Sequence, residues 1–226
     1  MKNAVRFDTH ETDVSDPRVS LFPDMKILEI GLYFEKQARE SGYKLIAGLD
    51  EVGRGCLAGP VVAGACILDL SKPLPKGLDD SKKLTPNARD EIAAELKQEA
   101  IAYSVGQVEA DEIDRINILE ATKKAMLLAI AALGSAADFL LIDALSLKQS
   151  PLPQKAIIKG DTISASIAAA SILAKTYRDQ LMKDYDGEYP QYGFAGHKGY
   201  GASSHLEAIR KYGACPLHRK TFRGVV

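Results

Sequence analysis

The chain reads as an α/β protein built on one mixed central sheet flanked by helices. Three β-type apolar runs come early: YKLIAGLD (43–50), PVVAGACILDL (60–70) and IAYSVGQV (101–108). Two shorter runs, FLLID (139–143) and KAIIKGD (155–161), come later, each beside a helix-periodic stretch. Strands joined by a direct reversal and strands separated by helices together make a sheet with antiparallel and parallel neighbours.

Residues 1–24 show no hydrophobic periodicity and are expected to form a mobile arm. MKILEIGLYFEKQARESG (25–42) places Ile27, Leu28, Ile30, Leu32 and Phe34 before a polar stretch and closes on Gly42, which predicts a helix with a glycine stop. An arm and helix over 1–42 thus precede one compact domain over 43–226. Between the first two strands, the glycines at 53–59 predict a reversal longer than a tight turn. Thr85-Pro86 supplies an N-cap and first-turn proline for a helix through ARDEIAAELKQ. INILEATKKAMLLAIAAL (116–133) carries Leu119, Met126, Leu127, Ile130 and Leu133 at helical spacing, which marks a core-facing helix. A long Ala/Ser/Ile helix, TISASIAAASILAKTYRDQLM, comes after Asp161.

Charged residues make up 26% of the chain and the net charge is −1, an ordinary globular balance that neither requires nor excludes nucleic acid. The basic character is local. From residue 191 onward six Lys/Arg (Lys198, Arg210, Lys211, Arg219, Lys220, Arg223) face one acid, Glu207. Cys56, Cys66 and Cys215 have no CxxC spacing, so neither a zinc site nor a disulfide framework is expected, and a cytoplasmic location is. Neither a signal peptide nor a membrane span is predicted.

Asp50, Asp143 and Asp161 each end an apolar strand-like run. A lone aspartate there is most often a cap or turn former. If the strands of Asp50 and Asp143 are neighbours, however, their side chains lie about 5 Å apart. Ligand sites of α/β sheets also gather at strand C-terminal ends. Glu51 points to the opposite face if its strand continues, but Gly53 and Gly55 allow the backbone to break and Glu51 to turn back. Carboxylates held this close are stable only if protonated or bound to cations, and oxygen-only ligands favour Mg²⁺ or Mn²⁺. Two such ions about 3.5–4 Å apart suit in-line displacement at phosphorus.

The stretch IAGLDEVGRGCLAGPVVAGACIL resembles the opening strand hairpin of bacterial ribonuclease HII, whose hallmark is DE(A/V)GRG. LDDSKKL (78–84), INILEATKKAM (116–126), LLID (140–143), KGD (159–161), IAAASILAK (167–175), HKGYG (197–201) and PLHRKTF (216–222) continue the resemblance in the family's order. It covers about residues 43–222 and implies an RNase H-like fold with a C-terminal helical segment. The implied activity is metal-dependent cleavage of RNA paired to DNA, including incision 5′ of single ribonucleotides in duplex DNA, leaving 3′-hydroxyl and 5′-phosphate ends. Asp50, Glu51, Asp143 and Asp161 match the family's catalytic, metal-binding acids, with Mg²⁺ or Mn²⁺ as two ions per site. Asp50 and Asp161 are assigned to the ion that activates water, and Asp50, Glu51 and Asp143 to the one that stabilises the leaving oxygen.

Gly53, Arg54 and Gly55 match the GRG motif and Tyr200 the tyrosine of the GYG motif, which in the family contact the ribonucleotide and its 2′-OH. That hydroxyl is what separates RNA from DNA. Ser81, Lys82 and Lys83 match a segment associated with the nucleic acid backbone, where hydroxyl and ammonium groups suit phosphates. Substrates implied are RNA/DNA hybrid and ribonucleotide-containing duplex DNA, for a monomer, with a sliding clamp left open as a partner. Two departures stand out: Ala144 follows Asp143 where the family usually has glycine, and Ala202 stands where GYGT has threonine. The short arm and Arg54 favour ribonuclease HII over ribonuclease HIII. A nucleic-acid-binding repair adaptor without catalysis is the alternative. A P-loop is excluded because no GK(S/T) follows the glycines.

Overall fold

The computed structural model describes residues 30–225. The predicted arm (1–24) and residues 25–29 of the first predicted helix lie outside them. The first elements are helix α1 (Tyr33–Glu40), strands β1 (Ile46–Val52) and β2 (Val61–Ile67), α2 (Pro86–Glu99), β3 (Ala102–Val108), α3 (Ala110–Ile116) and α4 (Ile118–Ala132). Then come β4 (Phe139–Asp143), β5 (Gln154–Ile157), the long α5 (Ala165–Glu188), and two C-terminal helices, α6 (Phe194–His197) and α7 (Ser203–Tyr212). The sheet order is β3-β2-β1-β4-β5, antiparallel across β1–β2–β3 and parallel across β1–β4–β5, which is the mixed sheet predicted.

Two helical layers sandwich this sheet. On one face α3 and α4 bury Ile113, Ala121, Ala125 and Met126 against Leu49, Ala63, Leu140 and Ile142. On the other, α5 lies on β1 and β2 with Ala165, Ala169, Ala170 and Leu173 inside. It comes closer than ordinary side chains permit. A Cβ at Gly48 would overlap the Ser166 carbonyl, and one at Gly64 would overlap the Ala170 carbonyl oxygen. Small residues on the helix and glycines on the strands therefore bring two backbones into contact.

The start of α5 is capped twice. Ser164 Oγ accepts from Ile167 N–H (3.4 Å), and the fully buried Glu35 of α1 accepts from Ser164 Oγ (2.7 Å) and Ser166 N–H (2.9 Å). A carboxylate at a helix N-terminus satisfies orphan donors and the positive end of the dipole. Phe34 and Ala38 anchor α1 on Ile46, Phe139 and Leu141, so this helix packs on the sheet.

Local boundaries differ from expectation at several places. The first predicted helix is helical only from Tyr33 among the described residues, because Gly31 pairs with the chain at Ile163 and Ala165. The helix predicted from 116 starts at Ile118, because Asn117 takes a positive φ of 67° and its side chain caps Leu119 and Glu120. The separate α3 precedes it. The run predicted as a strand through Asp161 ends at Ile157, and Asp161 sits in a 3₁₀ turn (Gly160–Thr162). The cause is a hydrogen bond from Gly160 N–H to Asp143 Oδ1 (2.7 Å), which draws the chain off the sheet.

In the C-terminal segment, imidazoles form a buried relay. Cys215 N–H donates to His218 Nδ1 (2.9 Å), which leaves the His218 proton on Nε2, facing His205 Nε2 (3.0 Å). His205 in turn donates from Nδ1 to the Tyr200 carbonyl (2.8 Å). Each ring is neutral in this pattern. Burial, then the neighbouring His205, pushes His218 from its ordinary 6.5 down to about 4.

Gly64→Ala is expected to cost about 3 kcal/mol, because overpacking here meets backbone; urea unfolding of the variant measures it. A depressed imidazole means the unfolded chain binds the proton first. Stability should therefore fall as pH drops from about 6.5 towards about 4. His218→Gln should flatten that part of a Tm-against-pH curve.

Candidate active site

Asp50 lies within β1, opposite Gly64 on β2, and is only 4% exposed. Leu49 pairs with Ile142 across the parallel β1–β4 ladder, so Asp50 and Asp143 come next at the same end of adjacent strands. Such neighbours stand about 5 Å apart. Asp50 shares the face of Gly48, hence the face of α5. There its carboxylate accepts from Glu51 N–H (2.8 Å), and the nearby hydroxyl of Ser171 on α5 favours its charged form. Ser171 Oγ is itself 2.9 Å from Ser81 Oγ.

β1 does not break after Asp50. Glu51 stays in the ladder opposite Ala63, so the backbone break that Gly53 and Gly55 allow does not occur there, yet its carboxylate lies near enough to Asp50 and Asp143 for repulsion among them. At the strand end it meets Arg54 (Nη1 to Oε1, 3.2 Å), while Oε2 is buried without a hydrogen-bond partner. Asp161, 6% exposed, arrives from the 3₁₀ turn and pairs with Lys82 Nζ (3.0 Å).

Burial and mutual repulsion raise three of these acids. Asp50 titrates well above the ordinary range because it is buried, then because Glu51 and Asp143 are near; Ser171 opposes this. Burial raises Glu51, against the pull of Arg54. Asp143 rises by burial, held back by the Gly160 N–H bond. For Lys82, burial works against the charge, but the hydrogen bond and charge of Asp161 win and raise it.

As placed, no three His, Cys, Asp or Glu side chains among the described residues converge closely enough to hold an ion together. Lys82 and Arg54 supply counter-charge instead. The donor set is nevertheless all oxygen, three of its acids repel one another, and Glu51 Oε2 is buried and unsatisfied. That combination fits a hard divalent cation better than it fits a salt-bridge network.

Two loops flank the acids. The 53–60 turn carries Gly53, Arg54 and Gly55, and the 198–201 loop carries Tyr200, 43% exposed. Leu57 N–H and Ala58 N–H both donate to the Gly199 carbonyl (2.8 and 3.3 Å), which ties the loops together. Lys82 and Lys83 are exposed, and Lys83 pairs with Asp79 (3.1 Å). Ser81 differs from the phosphate contact expected of it. It is 3% exposed and bonds Ser171, so it sits beneath Asp50 as a support.

Both sequence departures have a local cost. Ala144 adopts φ +50°, the left-handed region a glycine would take freely, so the turn after Asp143 keeps its shape under strain. Ala202 is the N-cap of α7 and makes no side-chain cap. Sequence reasoning misses Glu35, Ser171 and Arg178, since each sits in a helical pattern that reads as ordinary amphipathic or small-residue packing. Arg178 is fully buried and donates to the carbonyls of Ala58, Pro60 and Lys198.

Acids gathered at the ends of adjacent strands of a mixed sheet, flanked by a glycine-arginine turn, define a hydrolase of the ribonuclease H fold class. A family model described as Ribonuclease HII matches residues 47–225. A Ribonuclease HII from Syntrophotalea carbinolica is 49% identical over 92% of this chain and 98% of its own length. One from Chlamydia trachomatis serovar L2 is 55% identical over 85% of this chain and 88% of its own. Among solved structures, ribonuclease H2 from Pyrococcus horikoshii OT3 superposes with a TM-score of 0.67 at 27% identity, covering 80% of this chain and 95% of that one. The RNase HII of the Archaeoglobus fulgidus PCNA complex (0.70, 24%, covering 80% and 96%) shares the fold. So does Bst-RNase HIII in complex with Mn²⁺ (0.62, 21%, covering 83% and 70%). The chain belongs to the ribonuclease HII family and is an enzyme of the ribonuclease H class.

Ala144→Gly should raise stability by about 1 kcal/mol by releasing the left-handed strain. Ala202→Thr should add about 1 kcal/mol through a new N-cap. Paired thermal and urea unfolding of the single and double variants checks both, and the two gains should add.

Proposed function

We propose that the chain hydrolyses the RNA strand of RNA/DNA hybrids and incises 5′ of single ribonucleotides in duplex DNA. Water adds to the phosphorus, the P–O3′ bond breaks and the O3′ takes a proton, leaving 3′-hydroxyl and 5′-phosphate ends. The observation that carries this is the juxtaposition of Asp50 and Asp143 at neighbouring strand ends with the Gly53-Arg54-Gly55 turn and Tyr200 alongside.

Asp50, Glu51, Asp143 and Asp161 would hold Mg²⁺ or Mn²⁺, as two ions. When bound, the ions supply Lewis acidity and compensate charge developing at the phosphoryl group. The protein's own residues do the rest. Ser171 and the Glu51 amide fix the Asp50 carboxylate, the Gly160 amide fixes that of Asp143, and Lys82 holds Asp161 in place. Gly53, Arg54, Gly55 and Tyr200 orient the ribonucleotide, and Lys82 and Lys83 approach the phosphates. Ser81 contributes through Ser171. Cys56, Cys66 and Cys215 are buried free thiols, which suits the reducing cytoplasm, where the chain would act as a monomer on nucleic acid. Among the described residues no helix is long and apolar enough to cross a membrane. The Archaeoglobus relative's complex supports a sliding clamp as partner.

A duplex carrying one ribonucleotide, incubated with Mg²⁺ or Mn²⁺, should be nicked 5′ of it by the wild type. Asp143→Asn should lower the rate more than about 100-fold. Absence of nicking by the wild type, or full nicking by the variant, would refute the proposal. Without substrate, Mn²⁺ should raise the Tm of the wild type through binding to the native state, and Asp50→Asn should abolish most of that rise.

A further inference from the structure

Arg178 on α5 and Arg219 near the C-terminus are both completely buried, and neither lies within ion-pair distance of a carboxylate among the described residues. Taking a guanidinium out of water without a counter-charge is costly unless its donors are well used. They are used on backbone alone. Arg178 spends Nε on the Pro60 carbonyl (2.9 Å), Nη2 on Ala58 (3.1 Å) and Nη1 on Lys198 (2.9 Å). Arg219 spends Nε and Nη2 on Gly59 (3.0 and 2.8 Å) and Nη1 on Arg54 (2.9 Å). Every carbonyl held belongs to one of the two loops flanking the acids.

The direction of these bonds has a stereochemical effect. In a planar trans peptide the C=O and the following N–H point opposite ways. Arg219 pulls the Arg54 carbonyl inward, so the Gly55 N–H is turned outward. Gly55 is exposed, and among the described residues no acceptor takes that N–H. Beneath the turn, a Cβ at Gly53 would overlap Arg178 Nε, and Gly53 also has φ +92°. The first glycine of the motif therefore makes room for an arginine below, while the second presents an amide above. Burial brings Arg219 down to about 10, still cationic at neutral pH.

We propose that Arg178 and Arg219 are positioning residues for ribonucleotide recognition, holding the 53–60 turn against the 198–200 loop with the Gly55 N–H facing the groove. This assignment rests on the ribonucleotide-directed activity proposed above. A lysine cannot replace either residue. It offers a single ammonium where a planar fork reaches three carbonyl bonds at fixed angles.

The test uses the full chain with Arg178→Lys and Arg219→Lys, and Arg178→Gln and Arg219→Gln as a second pair that keeps an amide donor. Amide hydrogen exchange follows Leu57, Ala58 and Gly59 N–H, which bond Gly199 and Leu217 carbonyls, against the amides of β1 and β4. Steady-state kinetics use the single-ribonucleotide duplex. The expected result is protection lost in the turn but kept in the sheet, with KM raised about tenfold or more and kcat changed by less than about threefold. The glutamine variants should fall between wild type and lysine. An unchanged KM, or a loss of protection spread equally over the sheet with kcat falling as much as kcat/KM, would overturn it and leave the arginines as fold staples. If the wild type itself cuts nothing, the proposed function fails. The exchange pattern then decides separately whether the arginines hold the turn.

Discussion

The contact between the α5 backbone and strands β1 and β2 is the constraint on which the rest of the molecule depends. Gly48 and Gly64 have no side chain because the helix carbonyls occupy that space. With the helix seated so close, short side chains reach what longer ones would be needed for elsewhere. Ser171 comes near enough to the Asp50 carboxylate to favour its charged form, and Arg178 passes beneath the turn to the carbonyls beyond it. A helix held at the usual distance of side-chain packing would leave Asp50 buried with less to hold it.

Charge is distributed unusually around the turn after β1. On one side, acids are crowded until burial and repulsion raise Asp50, Glu51 and Asp143 together. On the other, two buried cations spend their hydrogen bonds on peptide carbonyls, and Arg219 also lies over the Phe222 ring. The two sets do not neutralise each other through ion pairs. Each is left with electrostatic capacity: the acids repel one another, and the arginines polarise the carbonyls of the loop they hold. Strain is found in the same neighbourhood, with Ala144 beside one acid and Lys159 two residues before another in the left-handed region.

Much of this was legible in the sequence. The α/β class, the mixed sheet, the strand-ending Asp143, the Thr85 cap and the helix near 116 follow from alternation, periodicity and turn chemistry, whereas Asp50, read as a strand end, lies two residues inside β1. Thr85 accepts from Ala88 N–H as an N-cap should, whereas the later helix starts two residues further on because Asn117 itself caps. Asp161 was legible as a candidate acid but not as a residue of a 3₁₀ turn, since the bond that bends the chain there is to Asp143, distant in sequence. Glu51 was harder. Whether a strand continues for two residues past a carboxylate is decided by its partner strand, and β2 carries the pairing through Val52. Ser81 looked like an exposed phosphate contact because its burial comes from α5. Arg178 and Glu35 give no sequence signal at all, because a buried charge satisfied by distant backbone or a distant cap resembles any charge on a helix.

Ser164, Ser171 and Arg178 succeed one another at intervals of seven residues along α5. Seven residues are about two turns and about 10 Å of rise, so the three lie along one edge of the helix. The first seats the capping carboxylate, the second steadies an acid of the site and the third supports the turn beside it. The helix is thus a graduated ruler, with its marks set by chain count. Adding or removing one residue between two marks would rotate the next by about 100° and swing it off the sheet. Side chains within this stretch are free to drift so long as they stay small, but its length is not.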